Sequence, residues 1–199
     1  MGFRKGFNLF RSEGSIKFMS RKIKSKRFIL SVVGRIFNPI GIPGPFVIKL
    51  KCLLQDLWTL GVDWNSELTP KLCHKWQQWS SEAEDLTEIR IPRYYSVELD
   101  QEISIFEIHY FSDVSPTAYG TILYLSFATC NNEIETNFIC SKSSVAPLKL
   151  LTLPRLELTA ALLSARLAKQ VSSCLNFNAI IYYWTDSLIS YYWIHIDSS

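Results

Sequence analysis

Hydrophobic positions fall at helical spacing in the first half of the chain and into short apolar runs bounded by turn residues in the second. Residues 28–37 (FILSVVGRIF) are apolar at helical spacing. They stop at Asn38-Pro39-Ile40-Gly41-Ile42-Pro43-Gly44-Pro45, where three prolines and two glycines forbid a continuing helix. The spacing predicts a second helix over 46–60, with Phe46, Leu50, Leu53, Leu54 and Leu57 on one side and Lys49, Lys51 and Asp56 elsewhere. A third is predicted over 72–86, with Trp76 and Trp79 on one face as packing anchors rather than base-stacking platforms, and His74 on the surface.

The second half reads differently. Ile105 to Ser112 is rich in β-branched and aromatic residues and predicts a buried strand ending at Asp113, where Val-Ser-Pro stops the pairing. Tyr119 to Phe127 and Asn137 to Ser141, separated by the turn-like Cys130-Asn131-Asn132-Glu133, predict two further strands of an antiparallel meander, because parallel pairing needs a longer crossover. Pro154 opens a helix whose apolar stripe is Leu156, Leu163 and Leu167, flanked by the small residues Ala160, Ala161, Ser164 and Ala168 on the side that includes Glu157. Small residues let a helix approach a sheet closely, so Glu157 is expected to reach over the strand ends. The chain returns through Asn176-Phe177-Asn178 into a strand over 180–185, and Asp186 follows it. A strand, a crossover helix and another strand imply parallel, right-handed pairing.

The predicted fold class is therefore α/β. A mixed sheet combines an antiparallel three-strand meander with a parallel fourth strand reached through a crossover helix, and a small, mainly helical segment precedes it. The boundary is expected near residue 100, in the acidic stretch from Glu82 to Glu102. Residues 187–196 supply a last helix, and the outer edge of the 180–185 strand is expected to be apolar and open to self-association.

Ligands of parallel-paired sheets gather at the carboxyl ends of strands, where Asp113 and Asp186 would both lie. Three carboxylates brought together repel, so either some are protonated or a hard cation sits among Asp113, Glu157 and Asp186. Magnesium or manganese takes oxygen ligands of this kind, and a pair of such ions can hold both the attacking water and the leaving oxygen of a phosphodiester. Taken singly, each acid also reads as a solvated strand end or helix face. His109 within a strand and His195 on a last helical turn read as structural.

Charge and cysteine content narrow the class. The chain has 199 residues, 48% hydrophobic and 20% charged, which places it among globular rather than disordered sequences. The net charge of +3 is unevenly spread: residues 1–35 hold ten Lys and Arg against Glu13 alone. Residues 1–27 interleave these cations with Phe3, Phe7, Phe10 and Phe18, a pattern suited to nucleic acid or to a flexible leader. Five cysteines without CxxC spacing read as free thiols in a reducing, intracellular compartment. Lys49 and Lys51 interrupt the longest apolar candidate for a membrane span, and no Asn-x-Ser/Thr site occurs.

Ser112-Asp113-Val114-Ser115-Pro116-Thr117-Ala118-Tyr119-Gly120, Ser141-Lys142-Ser143 with Val145-Ala146-Pro147-Leu148-Lys149, Leu153-Pro154-Arg155-Leu156-Glu157-Leu158 and Trp184-Thr185-Asp186-Ser187 resemble, in order and spacing, the RNase H-like region of BEL/Pao retrotransposon polyproteins. That region is also known as the Pao retrotransposon peptidase. Lys26-Arg27-Phe28-Ile29-Leu30-Ser31, Phe37-Asn38-Pro39-Ile40-Gly41, Leu54-Gln55-Asp56-Leu57-Trp58 and Ile91-Pro92-Arg93 resemble the thumb-and-connection segment of the same polyproteins, with Asn38 where the family has Asp. After the basic leader 1–27 that the charge pattern marks, the resemblance implies a 28–100 thumb/connection-like segment of a reverse transcriptase and a 101–199 RNase H-like domain lacking its last strand and helix.

It further implies that Asp113, Glu157 and Asp186 are three of four metal-binding acids. The same resemblance implies two magnesium (or manganese) ions as cofactor and the RNA strand of an RNA–DNA hybrid as substrate. The rest of the pol polyprotein is the partner that the resemblance implies. Asp197 is a poor substitute for the fourth acid, so activity is expected to be weak. A non-catalytic, nucleic-acid-binding remnant and a fragment with no independent role are the competing readings. The peptidase label finds no support, since no Asp is followed by Thr or Ser and then Gly. No Tyr-x-Asp-Asp is present either, so the polymerase's metal site lies outside this chain.

Overall fold

The computed structural model describes residues 7–8, 24–36, 38–85, 90–91, 105–128, 133–149, 151–175 and 177–196. Most of the basic leader, the 129–132 turn and Asp197 lie outside these residues. Two compact units divide the chain, Met1–Pro39 with Pro43–Tyr95 and Ile40–Ile42 with Ser96–Ser199.

The first unit is built from three helices: α1 (Lys26–Val33), α2 (Gly44–Thr59) and α3 (Pro70–Asp85). Ser25 caps α1 by accepting the Phe28 N–H through its hydroxyl, so the helix begins within the basic stretch and ends at Gly34, short of the expected residue 37. A proline just inside the start of α2 and another at the start of α3 set their first turns, where a missing N–H costs nothing. Phe28, Ile29, Val32, Leu50, Leu53, Leu57, Trp76 and Trp79 are all buried. Trp76 meets Phe28 edge-on at 5.3 Å, and Trp79 stacks on Phe46 at 4.4 Å while donating its indole N–H to the Phe46 carbonyl at 3.0 Å. The tryptophans are thus packing anchors, as their spacing predicts. Lys26 is buried and, among the described residues, meets no carboxylate: its ammonium lies 3.4 Å from the Trp58 ring centroid and donates to the Val62 carbonyl. Two short strands of this unit, β1 (Phe7–Asn8) and β2 (Arg90–Ile91), pair antiparallel.

The second unit holds β3 (Phe106–Ser115), β4 (Ala118–Ala128), β5 (Ile134–Val145), α4 (Leu153–Ser172), β6 (Ile180–Trp184) and α5 (Leu188–His195). Strand order is β5-β4-β3-β6, with β3, β4 and β5 antiparallel and β6 parallel to β3. This is the mixed sheet that the hydrophobic pattern predicts. β3, β4 and β5 extend past their expected ends, however, whereas β6 stops one residue short of the expected 185. β3 does not stop at Asp113: Asp113 pairs with Gly120, and Val114 and Ser115 continue the ladder to Tyr119 and Ala118. Pro116 and Thr117 form a two-residue turn, so the proline falls outside the ladder and interrupts nothing. The Ser115 hydroxyl accepts the Ala118 N–H across that turn.

Helix α4 covers one face of the sheet. Its buried residues are Leu156, Ala160, Ser164, Leu167 and Ala168, whereas Leu163 is only half-buried. The contact face therefore combines Leu156 and Leu167 of the apolar stripe with Ala160, Ser164 and Ala168 of the small-residue flank, and Leu163 lies at its margin. Ala160 and Ser164 bring the backbone so close that the buried Ser164 hydroxyl donates to Thr121 on β4 at 2.7 Å. Ile108, Tyr110, Leu123, Leu125, Phe127, Leu167 and Ala168 form the core beneath. The opposite face carries aromatic pairs, Phe111 on Trp184 at 5.9 Å and His109 on Tyr182 at 5.1 Å. β6 has one strand neighbour, and all five of its residues are exposed.

The Ile40–Ile42 loop is fastened to β5. Ser141 donates its backbone N–H to the Ile40 carbonyl and its hydroxyl to the Gly41 carbonyl, both at 2.8 Å. Gly41 has φ +87°, and a Cβ there would overlap the Ser141 carbonyl oxygen. Gly41→Ala combines a left-handed backbone with a backbone clash, and we expect a loss of roughly 2–4 kcal/mol in urea denaturation. An unchanged midpoint would show that the loop is not docked in solution.

Tyr110 is fully buried, and its hydroxyl has no hydrogen-bond partner among the described residues. Burial, with smaller contributions from Tyr183 and Cys140, raises its pKa above the ordinary tyrosine value. The folded state therefore holds this proton more tightly than the unfolded state does. Its contribution to stability is complete below a pH of about 10 and is lost as pH rises further. Tyr110→Phe should leave neutral-pH stability unchanged or raise it by about 1 kcal/mol. It should also remove one proton's worth of the alkaline decline, read from denaturation curves at increasing pH.

Candidate active site

The parallel ladder between β3 and β6 sets the frame. Its register pairs Phe111 with Trp184, so two steps further along each strand direction stand Asp113 and Asp186. Ser112 donates its hydroxyl to the Trp184 carbonyl at 3.3 Å and ties the end of β6 to β3 between these two acids. Asp113 is exposed, and its Oδ1 accepts the N–H of its own neighbour Val114 at 2.7 Å. Asp186 is exposed just beyond β6.

Glu157 arrives from the first turns of α4, half-buried. Its partner is Ser187, the residue after Asp186, whose hydroxyl donates to Glu157 Oε2. Ser187 is also the N-cap of α5, accepting the Ser190 N–H at 3.2 Å. Ser190 is fully buried and donates its hydroxyl to the Pro154 carbonyl at 3.5 Å. The start of α5 is thus held against the start of α4 by two serines, and Glu157 and Asp186 are joined through a single residue and one hydrogen bond.

The fold brings the three segments to one end of the sheet, but the side chains do not close on a common point. Among the described residues, no group of three or more His, Cys, Asp or Glu side chains is arranged to hold a metal ion. Asp113 is turned onto its own backbone, and one oxygen of Glu157 is taken by Ser187. The donor chemistry, all carboxylate oxygen, is of the kind that hard divalent cations take; the side-chain directions in this conformation do not form a cage.

The histidines are engaged elsewhere. His109 accepts the Trp184 indole N–H on Nδ1 at 3.2 Å, which leaves its Nε2 facing Glu107 at 3.3 Å. His195 Nδ1 lies 2.9 Å from the Tyr191 carbonyl of its own helix. A cavity of about 920 Å³ opens between α4, β6 and α5, with Ser112, Leu162, Tyr183, Trp184 and Thr185 in its walls. No carboxylate lines it, which separates it chemically from the acids.

Residues 25–187 match the family model described as a Pao retrotransposon-like RNaseH-like domain. The chain belongs to this family. The matched span takes in the helical unit from the cap of α1 onward and every segment of the candidate site through Ser187. No curated protein matches the chain. Membership in the Pao family fits the observed sheet, three antiparallel strands and one parallel, with its crossover helix. No helix among the described residues is long and apolar enough to cross a membrane.

Reading the sequence passed over Ser187. Its signal was present: a serine directly before the apolar run Leu188-Ile189 is an N-cap pattern, and a cap adjoining a candidate acid ties that acid to a helix end.

Proposed function

We propose that this Pao-family domain hydrolyses the RNA strand of RNA–DNA hybrids, with Asp113, Glu157 and Asp186 as its acids and magnesium or manganese as its cofactor. The single observation that supports this reading is the β3–β6 ladder, whose last pair, Phe111 with Trp184, lies two residues before Asp113 and Asp186, while the Ser187 hydroxyl ties Glu157 to the segment that carries Asp186. A divalent ion held by these carboxylates supplies Lewis-acid activation of water and of the phosphodiester.

The protein's own part is positional. Asp113 stands on the β3–β4 ladder, the Ser112 bond holds the end of β6 two residues before Asp186, α4 delivers the glutamate from a helix packed tightly on the sheet, and excess negative charge at this rim requires a cation before a phosphate can approach. A hybrid backbone is met by the basic residues of the 1–27 leader in the same proposal. The second reading, nucleic-acid binding without cleavage, is favoured by the interleaved cations and phenylalanines of residues 1–27.

A labelled RNA–DNA hybrid incubated with the full chain and magnesium or manganese separates the two readings. Cleavage of the RNA strand is expected, and Asp186→Asn should lower the rate by about a hundredfold or more, the scale of losing one electrostatic group at a reacting centre. Asp63→Asn, in an exposed loop of the helical unit, should cleave like the wild type. Hybrid binding without turnover, at an equal level in wild type and Asp186→Asn, would establish the binding reading and reject hydrolysis.

A further inference from the structure

We infer that Ser187 is the positioning residue for Glu157: its hydroxyl aims the carboxylate of α4 and locks it to the backbone segment that carries Asp186. The inference rests on the proposed role of these acids and goes beyond it by assigning a residue outside the acidic trio. Ser187 is 8% exposed, so its hydroxyl has little water to bond. A serine hydroxyl has one proton and two lone pairs. Here the Ser190 N–H fills an acceptor position at 3.2 Å, and the proton goes to Glu157 Oε2.

Both bonds have structural reasons to persist. The first satisfies an N–H at the start of α5 that no helical carbonyl can reach. The second restrains a long side chain on a helix face chosen for small residues, Ala160 and Ser164, where neighbours offer little steric guidance to a glutamate rotamer. Ser187 N–H is itself held by the Thr185 hydroxyl at 3.2 Å, and the Ser190 hydroxyl reaches the Pro154 carbonyl at the start of α4. The hydroxyl is therefore fixed from the β6 side, and the remaining freedom lies with Glu157. One glutamate oxygen is engaged and the other is left for a ligand.

The consequence is specific. Ser187→Ala removes both bonds, whereas Ser187→Thr keeps a hydroxyl at a position where threonine also caps helices. Two measurements on the full chain test the assignment. In thermal unfolding, Ser187→Ala should lower the midpoint clearly in the wild type and by less than half as much in a Glu157→Ala background, because only the cap remains to be lost there. In a manganese titration followed by water-proton relaxation, Ser187→Ala should weaken binding by about tenfold, the scale of losing a group that orients a metal ligand, and Ser187→Thr should restore it.

Equal midpoint shifts in the two backgrounds would overturn the Ser187 assignment, whatever the metal result. So would an unchanged manganese affinity in Ser187→Ala when the wild type binds and Glu157→Ala does not. A wild type that binds manganese no better than Glu157→Ala would instead reject the cation site while leaving the unfolding cycle to decide the Ser187–Glu157 link.

Discussion

The parallel ladder between β3 and β6 is the constraint on which the site depends. Strands 65 or more residues apart in sequence meet in a register whose last pair is Phe111 with Trp184, so the segments carrying Asp113 and Asp186 leave the ladder at the same end of the sheet. Side chains along a strand alternate faces, so a slip of one residue would turn Ile108 and Tyr110 out of the core and bring His109 and Phe111 in. The burial of Ile108 and Tyr110 under α4 therefore protects the acid placement as well as the fold. The aromatic pairs on the other face, Phe111 on Trp184 and His109 on Tyr182, favour the same register from the opposite side.

Close approach of α4 is the second requirement. A helix with leucines at Ala160 and Ser164 would stand further from β4 and could not make the 2.7 Å bond from Ser164 to Thr121. The polar atoms buried by this approach satisfy each other, which spares the desolvation cost that unpaired hydroxyls would carry. Further toward the helix start the same closeness brings Glu157 to Ser187 and Pro154 to Ser190. Three serines and a threonine thus join the helix to the sheet and to α5 at the end of the unit where the acids stand.

Much of this was legible in residue order. The helical spacing of Phe46 to Leu57, the strand-like runs around Ile108 and Leu123, and the connection lengths between them were enough to predict a mixed sheet with one crossover helix. The motifs from Ser112 to Ser187 pointed to the family that the matched span 25–187 now shows. Boundaries were less legible. Asp113 looked like a strand terminus because Pro116 follows, but a proline in a two-residue turn leaves the ladder intact on both sides. Leu163 looked like core because leucine is apolar, yet it lies at the margin of a contact face made by Leu156 and Leu167 together with the smaller Ala160, Ser164 and Ala168.

By itself the sequence determined the class of fold and the helix that carries Glu157, because periodicity and turn residues act locally and survive in any one-dimensional reading. Only the tertiary structure decided which groups the acids meet. That Glu157 bonds Ser187, that Asp113 turns back on Val114, and that Gly41 lies under Ser141 are outcomes of long-range packing. Hydrogen bonds between side chains distant in sequence depend on distances of a few ångströms, and those arise only once the helix, the strands and the loop have been pressed together by the burial of their apolar faces.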